Sequence, residues 1–411
     1  MVKIRAFRAI RPKAEYAREV AALPYDVYST EEAREEIGRH PLSFLQVDLP
    51  AATIDGAVRG SVNAVARENY EKLKDDGIFY REDDPGFYIY ELDDGEHVQR
   101  GMMCLVSVDD YEDDTVKKHE KTRREKEEDR VDHIDTLDAQ TGPIFLTYRD
   151  RADIEELIER GIEGEEPLEF KTDDGMVHRV WTIRDEDILD GLIAAFRDLD
   201  HLYIADGHHR SASAVRVSNM RRKTYGPGDD ETPYNYFMSI VYPSDELKVY
   251  DYNRVVADTR GLSAEELVEK IEETFDVKRE DGPVRPEKKG EFGMYLDDTW
   301  YRLTYRGEAI DDVIEGLDVS ILQNFILAPI LGIGDPREDA RIDFVGGVRG
   351  LEELERRVHT DMAVAFSMYP TSLDDLMAVA DQNKVMPPKS TWFEPKPRSG
   401  LFIHPIGRDD A

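Results

Sequence analysis

Apolar and polar positions along the chain follow two periods, the two-residue alternation of strands and the three-to-four-residue repeat of helices. Apolar runs on either side of Asp-Asp-Gly turns predict two β-hairpins, one around residues 93–95 and one around residues 173–175. The apolar run 201–205 predicts a short buried strand, and the helix-forming residues that begin at 208 predict a helix directly after it. The chain therefore mixes strands and helices from an early point.

The same mixture continues toward the C-terminus. Ser263, with Glu266 three residues later, fits a capping box that opens a helix predicted to reach Phe275. The stretch 313–331 is the most apolar segment with a helical pattern, and the tail from residue 381 is irregular and rich in proline. This order of elements predicts an α+β fold with mixed or antiparallel sheets, and not a doubly wound parallel sheet.

The length of 411 residues is sufficient for two or three domains. Changes of pattern divide the chain into an N-terminal α/β region over residues 1–100, a core over 101–258 and a C-terminal α/β region over 259–411 that includes the proline-rich tail. We find no internal repeat and no low-complexity tract.

Charge and composition narrow the class of protein. The chain carries 89 acidic against 54 basic residues, a net charge of −35, which repels nucleic acid at long range unless a local basic patch compensates. Cys104 is the single cysteine, which excludes an intramolecular disulfide framework and a cysteine-based zinc cluster. No apolar run approaches the roughly 20 residues that span a bilayer, and the N-terminus does not resemble a signal peptide. We expect a cytoplasmic protein with small-molecule partners, and the sequence leaves the oligomeric state open.

The segment 205–210, Ala-Asp-Gly-His-His-Arg, lies between the predicted strand and the predicted helix. Gly207 permits a tight turn, and the start of the helix offers backbone N–H groups and a positive dipole end to a ligand. Arg210 adds a planar guanidinium suited to phosphate or carboxylate. The segment predicts an anion site, with phosphate as the anion. The alternative is a structural turn in which His208 and His209 cap the helix or bond a neighbour.

A second polar segment, 118–122, reads Lys-His-Glu-Lys-Thr. A zinc-protease motif requires a histidine four residues after His119, and Arg123 stands there, so that interpretation fails. Glu120 remains as a carboxylate among lysines, where a general base or a magnesium ligand is one interpretation. The start of a solvated charged helix is the other.

A third segment, 386–397, is held extended by its prolines. Lys389, Ser390 and Lys396 give it cations and a hydroxyl, and extended loops of this kind can close over phosphates. The alternative is a C-terminal strap held by Trp392 and its neighbour.

Asp26 lies in the short rigid loop 23–27, where turn chemistry alone could explain it. The chain has no GxxxxGK[ST] loop, so a P-loop kinase is not expected. Its other glycine-rich segments lack the strand–GxGxxG–helix context of a dinucleotide site.

Four short motifs occur in one order along the chain: Ala-Leu-Pro-Tyr-Asp-Val at 22–27, His-Glu-Lys-Thr at 119–122, the segment 205–210, and Pro-Lys-Ser-Thr at 388–391. Together they resemble the family catalogued as domain of unknown function 1015. The resemblance extends over about residues 3–405, and the Asp-Gly-His-His-Arg element is its most specific part.

The resemblance implies a ParB/sulfiredoxin-like core over residues 101–258, a fold that also hosts free-serine kinases. It implies transfer of a phosphoryl group to the hydroxyl of L-serine, with ADP, ATP or pyrophosphate as the donor. The ParB fold also permits DNA binding, but the charge of −35 argues against that role. The interval of about 85 residues between Glu120 and Asp206 implies an insertion.

Roles follow for the matched positions. Catalytic roles are expected for Glu120, His208 and His209; phosphate-binding roles for Asp206, Gly207, Arg210, Lys389, Ser390 and Lys396; and substrate-binding roles for Asp26, His119 and Thr122. Mg²⁺ is the expected cofactor, with Asp206 either holding it or orienting a histidine. The alternative function is a regulatory protein that binds a phosphorylated ligand or nucleotide in the same pocket without turnover.

Overall fold

A computed structural model describes residues 1–54, 59–122 and 124–408 of the protein. The chain forms two compact units. The first contains Met1–Leu247 and the segment from Pro395 onward, and the second contains Lys248–Glu394. The three regions expected from the sequence have other boundaries and remain a prediction.

The strands are β1 (Ile4–Arg5), β2 (Ile10–Pro12), β3 (Phe79–Arg81), β4 (Phe87–Asp93), β5 (Val98–Ser107), β6 (Val116–Lys117), β7 (Ala139–Gln140), β8 (Ile144–Tyr148), β9 (Leu168–Lys171), β10 (Val177–Ile183), β11 (Leu202–Asp206), β12 (Tyr236–Pro243), β13 (Val249–Tyr250), β14 (Tyr252–Val256), β15 (Phe275–Glu280), β16 (Glu291–Leu296), β17 (Thr299–Tyr305), β18 (Ile342–Gly346), β19 (Val364–Met368), β20 (Trp392–Phe393) and β21 (His404–Pro405).

The α-helices are α1 (Ala17–Val20), α2 (Thr30–Arg39), α3 (Leu45–Asp48), α4 (Arg59–Asp75), α5 (Val108–Glu112), α6 (Arg124–Leu137), α7 (Ala152–Ile162), α8 (Glu186–Arg197), α9 (His208–Tyr225), α10 (Ala264–Ile271), α11 (Asp318–Leu322), α12 (Glu352–Thr360) and α13 (Leu373–Asp381). Within the described ranges, none of these helices combines the length and the apolar character needed to cross a bilayer.

The first unit is built on a mixed sheet. Its strands follow the order β6-β11-β8-β12-β5-β4-β10-β9, with β1 added beside β5. Two neighbouring pairs, β6 with β11 and β8 with β12, run parallel, and the other pairs are antiparallel. Both predicted Asp-Asp-Gly hairpins are present, as β4–β5 and β9–β10. The predicted α+β class with mixed and antiparallel sheets is confirmed.

Strands at the centre of this sheet are buried on both faces. Ile204, Leu146 and Phe237 are fully buried in one apolar core, and helices α6, α8 and α9 contribute to the same core. Cys104 is also fully buried, as a small apolar residue would be.

The second unit has an antiparallel sheet in the order β15-β17-β16-β19-β14-β18. The predicted capping box of Ser263 and Glu266 is present at the start of α10. The helix ends at Ile271, however, and the predicted extension to Phe275 is wrong because Phe275 begins strand β15. Alternating apolar side chains in β15 pair with β17, and this pairing overrides the helical pattern.

The single long helix predicted over 313–331 is also wrong. Leu317 has an extended backbone, so α11 begins only at Asp318. The chain then forms a π-helical turn over Gln323–Leu327, and the Gln323 amide donates to the carbonyl oxygens of Ile333 and Gly334 at 2.8 and 2.9 Å. These side-chain contacts stabilise a compact turn in place of a continuous helix.

Candidate functional site

Two parallel strands of the first unit bring the main polar motifs together. Strand β6 pairs with β11, with Val116 opposite Leu202 and Lys117 opposite Tyr203. Parallel strands end at the same edge of a sheet, so the segment after β6 and the turn after β11 lie side by side although about 85 residues separate them. Helices α6 and α9, which follow the two segments, also pack against each other.

The turn after β11 requires a glycine. Gly207 has a φ of +94°, a left-handed conformation that other residues adopt only at a cost. It occupies the N-cap position of α9, where no side chain caps the helix and the first turn contains no acidic residue. The first turn of a helix leaves backbone N–H groups without intrahelical acceptors, so this helix start is suited to an anion.

Arg210 folds its guanidinium back over the turn. A Cβ atom at Gly207 would lie 3.4 Å from Arg210 Nε, in ordinary van der Waals contact, so the left-handed backbone and not a lack of space favours glycine here. Arg210 Nη1 donates to the Pro143 carbonyl at 2.7 Å, which fixes the plane of the group. Burial lowers the pKa of Arg210, but the nearby carboxylates of Asp206 and Asp26 raise it by more, and the group is cationic.

Asp206 is held by two donors. Its Oδ2 accepts from Lys396 Nζ at 2.6 Å, and its Oδ1 accepts from the Gly207 backbone N–H at 2.7 Å. Burial raises the pKa of Asp206, but the charges of Lys396 and Arg210 lower it by more, far below the usual range. Asp206 is therefore ionised, and its carboxylate holds the turn in place through these two hydrogen bonds.

These contacts bear on the expected magnesium site. Both Asp206 oxygens accept from N–H donors, and one of these donors is a lysine cation. Among the described residues, no group of three or more His, Cys, Asp or Glu side chains is arranged to hold a metal ion. Asp206 does not fit the role of a magnesium ligand in this arrangement, and we derive no step through a metal.

Two buried histidines stand between the motifs. The His119 backbone N–H donates to His208 Nε2 at 3.4 Å, and the two imidazole rings meet edge to face at 4.4 Å between centroids. Burial lowers the pKa of His119 to about 4, and burial with the neighbouring His119 lowers the pKa of His208 well below its usual value. Both rings are neutral at pH 7. Because Nε2 accepts a hydrogen bond, the proton of His208 lies on Nδ1.

Glu120 completes the arrangement. Its Oε2 lies 3.8 Å from His208 Nδ1, the ring nitrogen that carries the proton. The Glu120 side chain is 55% exposed, whereas that of His208 is 4% exposed. A partly solvated carboxylate thus stands beside a buried imidazole at the start of a helix.

The other residues expected in substrate binding are placed differently. Asp26 is exposed in a 3₁₀ turn, Tyr25–Val27, close enough to influence the pKa of Arg210. Thr122 Oγ1 donates to the Glu127 side chain at the start of α6. His209 follows His208 in the first turn of α9, and its carbonyl accepts from a serine one turn later.

Lys389 and Ser390 belong to the second unit, where their contacts are internal. The Lys389 carbonyl accepts from Arg254 Nη2 at 2.9 Å, and Ser390 Oγ donates to the Pro387 carbonyl at 2.6 Å. The short strand β20 pairs with β13, so the Trp392 strap is present in this unit. A phosphate-binding role for these two residues remains a prediction.

Sequence reasoning missed a group of polar residues next to Arg210. A small cavity of about 30 Å³ is lined by Arg210 together with residues of α3, α6 and the segment before β8. Its polar side chains include Tyr25, Asp48, Arg130, His133 and Thr141. Apart from Tyr25, which lies in the motif at 22–27, each is an isolated polar residue within an apolar or charged stretch that no motif marks. The one signal in the sequence was a single histidine within an otherwise charged helical segment.

A comparison with protein families identifies the family of the chain. The family model described as "Protein of unknown function (DUF1015)" matches residues 4–320. A search of curated proteins finds no match.

Several solved structures are similar to parts of the chain. One is a free serine kinase in complex with AMP, at 17% identity and a TM-score of 0.33, covering 70% of this chain and 86% of that chain. Another is SbnI with a C-terminal truncation from Staphylococcus aureus, at 14% identity and a TM-score of 0.37, covering 74% and 87%. A third is a conserved hypothetical protein from Pyrococcus furiosus, at 15% identity and a TM-score of 0.34, covering 72% and 92%. Likeness at this level carries no functional argument.

Proposed function

The chain belongs to the DUF1015 family, and we propose that it is a phosphotransferase that moves a phosphoryl group to the hydroxyl of a small molecule, with free L-serine as the first acceptor to test. The observation that supports this proposal most directly is the position of the Glu120 carboxylate, 3.8 Å from His208 Nδ1 at the uncapped start of α9. A base and an anion-binding helix start at one sheet edge are the two parts that such a transfer requires.

Binding of the donor phosphate would use the turn after β11. Backbone N–H groups at the start of α9 and the Arg210 guanidinium present fixed positive dipoles and charge. Asp206, neutralised by Lys396, contributes no competing free carboxylate. Lys396 is therefore a positioning residue in this scheme, since it holds Asp206 and through it the Gly207 turn.

Transfer of the phosphoryl group would then occur in one step. The acceptor hydroxyl oxygen attacks the phosphorus, the bond between phosphorus and the donor's leaving oxygen breaks, and the hydroxyl proton passes to Glu120. The neutral His208 carries its proton on Nδ1, toward Glu120, and can stabilise the carboxylate in place. Arg210 and the helix start stabilise the charge on the moving group.

One observation favours the alternative function, a regulator that binds a phosphorylated ligand without turnover. The Glu120 side chain is 55% exposed, and a solvated carboxylate is a weaker base than a desolvated one. In that case the turn and Arg210 would bind the ligand and Glu120 would have no part in chemistry.

A donor-by-acceptor screen tests the proposal. Pyrophosphate, ADP and ATP are each incubated with L-serine and other free amino acids, with and without Mg²⁺, and phosphoamino-acid formation is measured. Any donor that yields phosphoserine supports the enzyme. Tight donor binding without product under every combination supports the regulator.

The Glu120→Gln variant makes the test specific to the site. The substitution is nearly isosteric and removes only the ability to take a proton, so phosphoserine formation should fall by roughly 10²–10⁴-fold while donor affinity is retained. Glu125→Gln, an exposed carboxylate in the first turn of α6, is the matched control and should change neither. Unchanged activity of Glu120→Gln would remove this residue from the mechanism, and loss of donor binding would point to a role in holding a metal.

The finer features stay predictions: the ParB/sulfiredoxin-like assignment of the core, the identity of the donor, the need for Mg²⁺ and the cytoplasmic location. The roles of Lys389 and Ser390 at the phosphate and those of Asp26, His119 and Thr122 at the substrate are proposed on the family resemblance.

A further inference from the structure

The segment that carries Glu120 is irregular. Residues 118–122 follow the end of β6 at Lys117 and precede α6, and they belong to neither a helix nor a strand. The Glu120 side chain is 55% exposed, so burial in a core does not fix its carboxylate beside His208 Nδ1. Contacts of the neighbouring residues must therefore hold the segment in place.

The residues before Glu120 are held by α5 and α9. Lys118 Nζ donates to the Tyr111 carbonyl in α5 at 2.7 Å and lies 4.3 Å from the centre of the Tyr111 ring. The His119 backbone N–H donates to His208 Nε2 in α9 at 3.4 Å. These contacts fix the segment on one side of the carboxylate, so its position also depends on the residues that follow.

Thr122 holds the other side of the segment through Glu127, which lies in the first turn of α6. The Thr122 hydroxyl donates to the Glu127 carboxylate. Hydrogen bonds to an ionised acceptor are stronger than those between neutral groups, so this contact is suited to holding an irregular segment.

The main chain of the same glutamate is joined to α9. The Ser213 hydroxyl, which is fully buried in α9, donates to the Glu127 carbonyl at 3.1 Å and to the His209 carbonyl at 2.7 Å, a three-centre hydrogen bond. Glu127 therefore contacts the Glu120 segment through its side chain. Through its carbonyl it contacts the helix that carries His208.

We propose that Glu127 is a positioning residue of this site, and that it holds the Glu120 segment against the start of α9 through Thr122 and Ser213. Its effect on a reaction is exerted only through the position of Glu120. The catalytic consequence rests on the proposed function, whereas the holding of the segment does not. A role of Thr122 at the substrate is compatible with this contact, because a hydroxyl oxygen that donates its proton keeps its lone pairs as acceptors.

Hydrogen exchange of the full-length protein tests the holding of the segment without any reaction. Glu127→Ala and Thr122→Val should each raise the exchange rate of peptides that contain the His119 amide by about tenfold, the change expected from one charge-assisted hydrogen bond. Glu125→Ala is the matched control. Glu125 is exposed in the same first turn of α6, so its loss removes the same favourable charge from the helix start and leaves the Thr122 bond intact. Exchange in the control should be unchanged.

Kinetics of phosphoryl transfer test the catalytic consequence. Glu127→Ala should lower kcat for phosphoserine formation by about 10-fold to 100-fold, the effect of a small misplacement of a reacting group, and leave donor affinity unchanged. Glu127→Gln keeps an oxygen that accepts from Thr122 and should restore most of kcat. In the Glu120→Gln background, Glu127→Ala should cause no further loss, because the base that it positions is absent. Thr122→Val and its conservative partner Thr122→Ser give the same comparison if Glu127→Ala does not fold.

The outcomes separate this inference from the proposed function. Faster exchange in Glu127→Ala and Thr122→Val, without phosphoryl transfer by any of the proteins, would support the role of Glu127 and overturn the phosphotransferase. Phosphoryl transfer with an unchanged kcat in both folded variants would overturn the role of Glu127 and support the phosphotransferase. Equal effects of Glu125→Ala and Glu127→Ala on exchange would also overturn it, since charge at the helix start would then explain the result. A further loss of activity in the Glu120→Gln background would overturn it as well.

Discussion

The two units treat buried charge in different ways. In the first unit, Asp206 and Lys396 form a partly buried ion pair at the edge of a mixed sheet, where two parallel strands end together. In the second unit, Arg254 is 3% exposed and bonds only to the carbonyl oxygens of Tyr252 and Lys389, and no carboxylate among the described residues lies within 4.0 Å of it.

The difference follows from the sheets. Antiparallel neighbours in the second unit place successive strand ends at opposite edges, so polar loops are distributed between both edges. The parallel pair β6–β11 instead collects two loops at one edge. A polar site is thus expected at that edge of the first unit, whereas Arg254 in the second unit binds backbone carbonyl oxygens.

The largest expected effect compares two arginines. Arg210→Lys keeps the charge but loses the planar guanidinium, so donor affinity should fall by roughly 10-fold to 100-fold with little change in melting temperature. Arg254→Lys should do the reverse and lower stability by about 1–2 kcal/mol, since it loses two bonds to carbonyls, while donor affinity is unchanged. Calorimetric titration and thermal unfolding measure both. Unchanged affinity with a large fall in melting temperature for Arg210→Lys would make that residue structural.

The second prediction concerns acid. Of the ten histidines, His359 alone lies in Lys248–Glu394, and its side chain is 56% exposed. In the first unit, burial lowers the pKa of His119 from 6.5 to about 4 and lowers that of His208 as well. Between these values the unfolded chain binds more protons than the folded one. Stability that is fully present above pH 6.5 is therefore lost as pH falls, by up to about 1.4 kcal/mol per pH unit for each histidine.

Hydrogen exchange measured by mass spectrometry, corrected for the intrinsic effect of pH, can locate this loss. Peptides from β6, β11 and α9 should lose protection on acidification toward about pH 4.5, before peptides from β14, β16 and β19 do. His119→Gln cannot titrate and should reduce the difference between the units. Simultaneous loss of protection in both units would contradict the assignment.

The smallest effect tests the glycine turn. Gly207→Ala forces a residue with a side chain into a φ of +94° and places its Cβ against Arg210. Gly261→Ala, in the second unit, imposes a φ of +81° with nothing within 4 Å of the new Cβ. Both should lower the free energy of unfolding by about 1 kcal/mol. Only Gly207→Ala should also weaken donor binding, and equal effects on binding would show that Arg210 tolerates displacement.

Local patterns predicted local structure well. The strand–glycine–helix sequence around Gly207, both Asp-Asp-Gly hairpins and the capping box at Ser263 all appear as expected, since each depends on residues close in the chain. The predictions that failed concern where helices begin and end. Pairing with a neighbouring strand ended α10 early, and an extended residue at Leu317 delayed α11.

The arrangement of the site depended on distant contacts. The sequence ordered Glu120 and the Asp-Gly-His-His-Arg turn along the chain, but the parallel pairing that joins them has no local signal. The cavity residues Asp48 and His133 come from α3 and α6, and only tertiary packing reveals that they face one volume. Residues that share a motif could be grouped from the sequence, whereas residues that only tertiary packing brings together could not.

The chain enters the first unit twice, and this has a consequence for biosynthesis. Asp206 is made long before its partner Lys396, because the whole of Lys248–Glu394 is synthesised between them. Strand β7 likewise cannot pair with β21, and Ala22 cannot pair with the backbone of Ser399, until the C-terminal segment has been made. A nascent chain on the ribosome therefore carries the turn without the Lys396 partner of Asp206, and this ion pair forms only after the last part of the polypeptide is made.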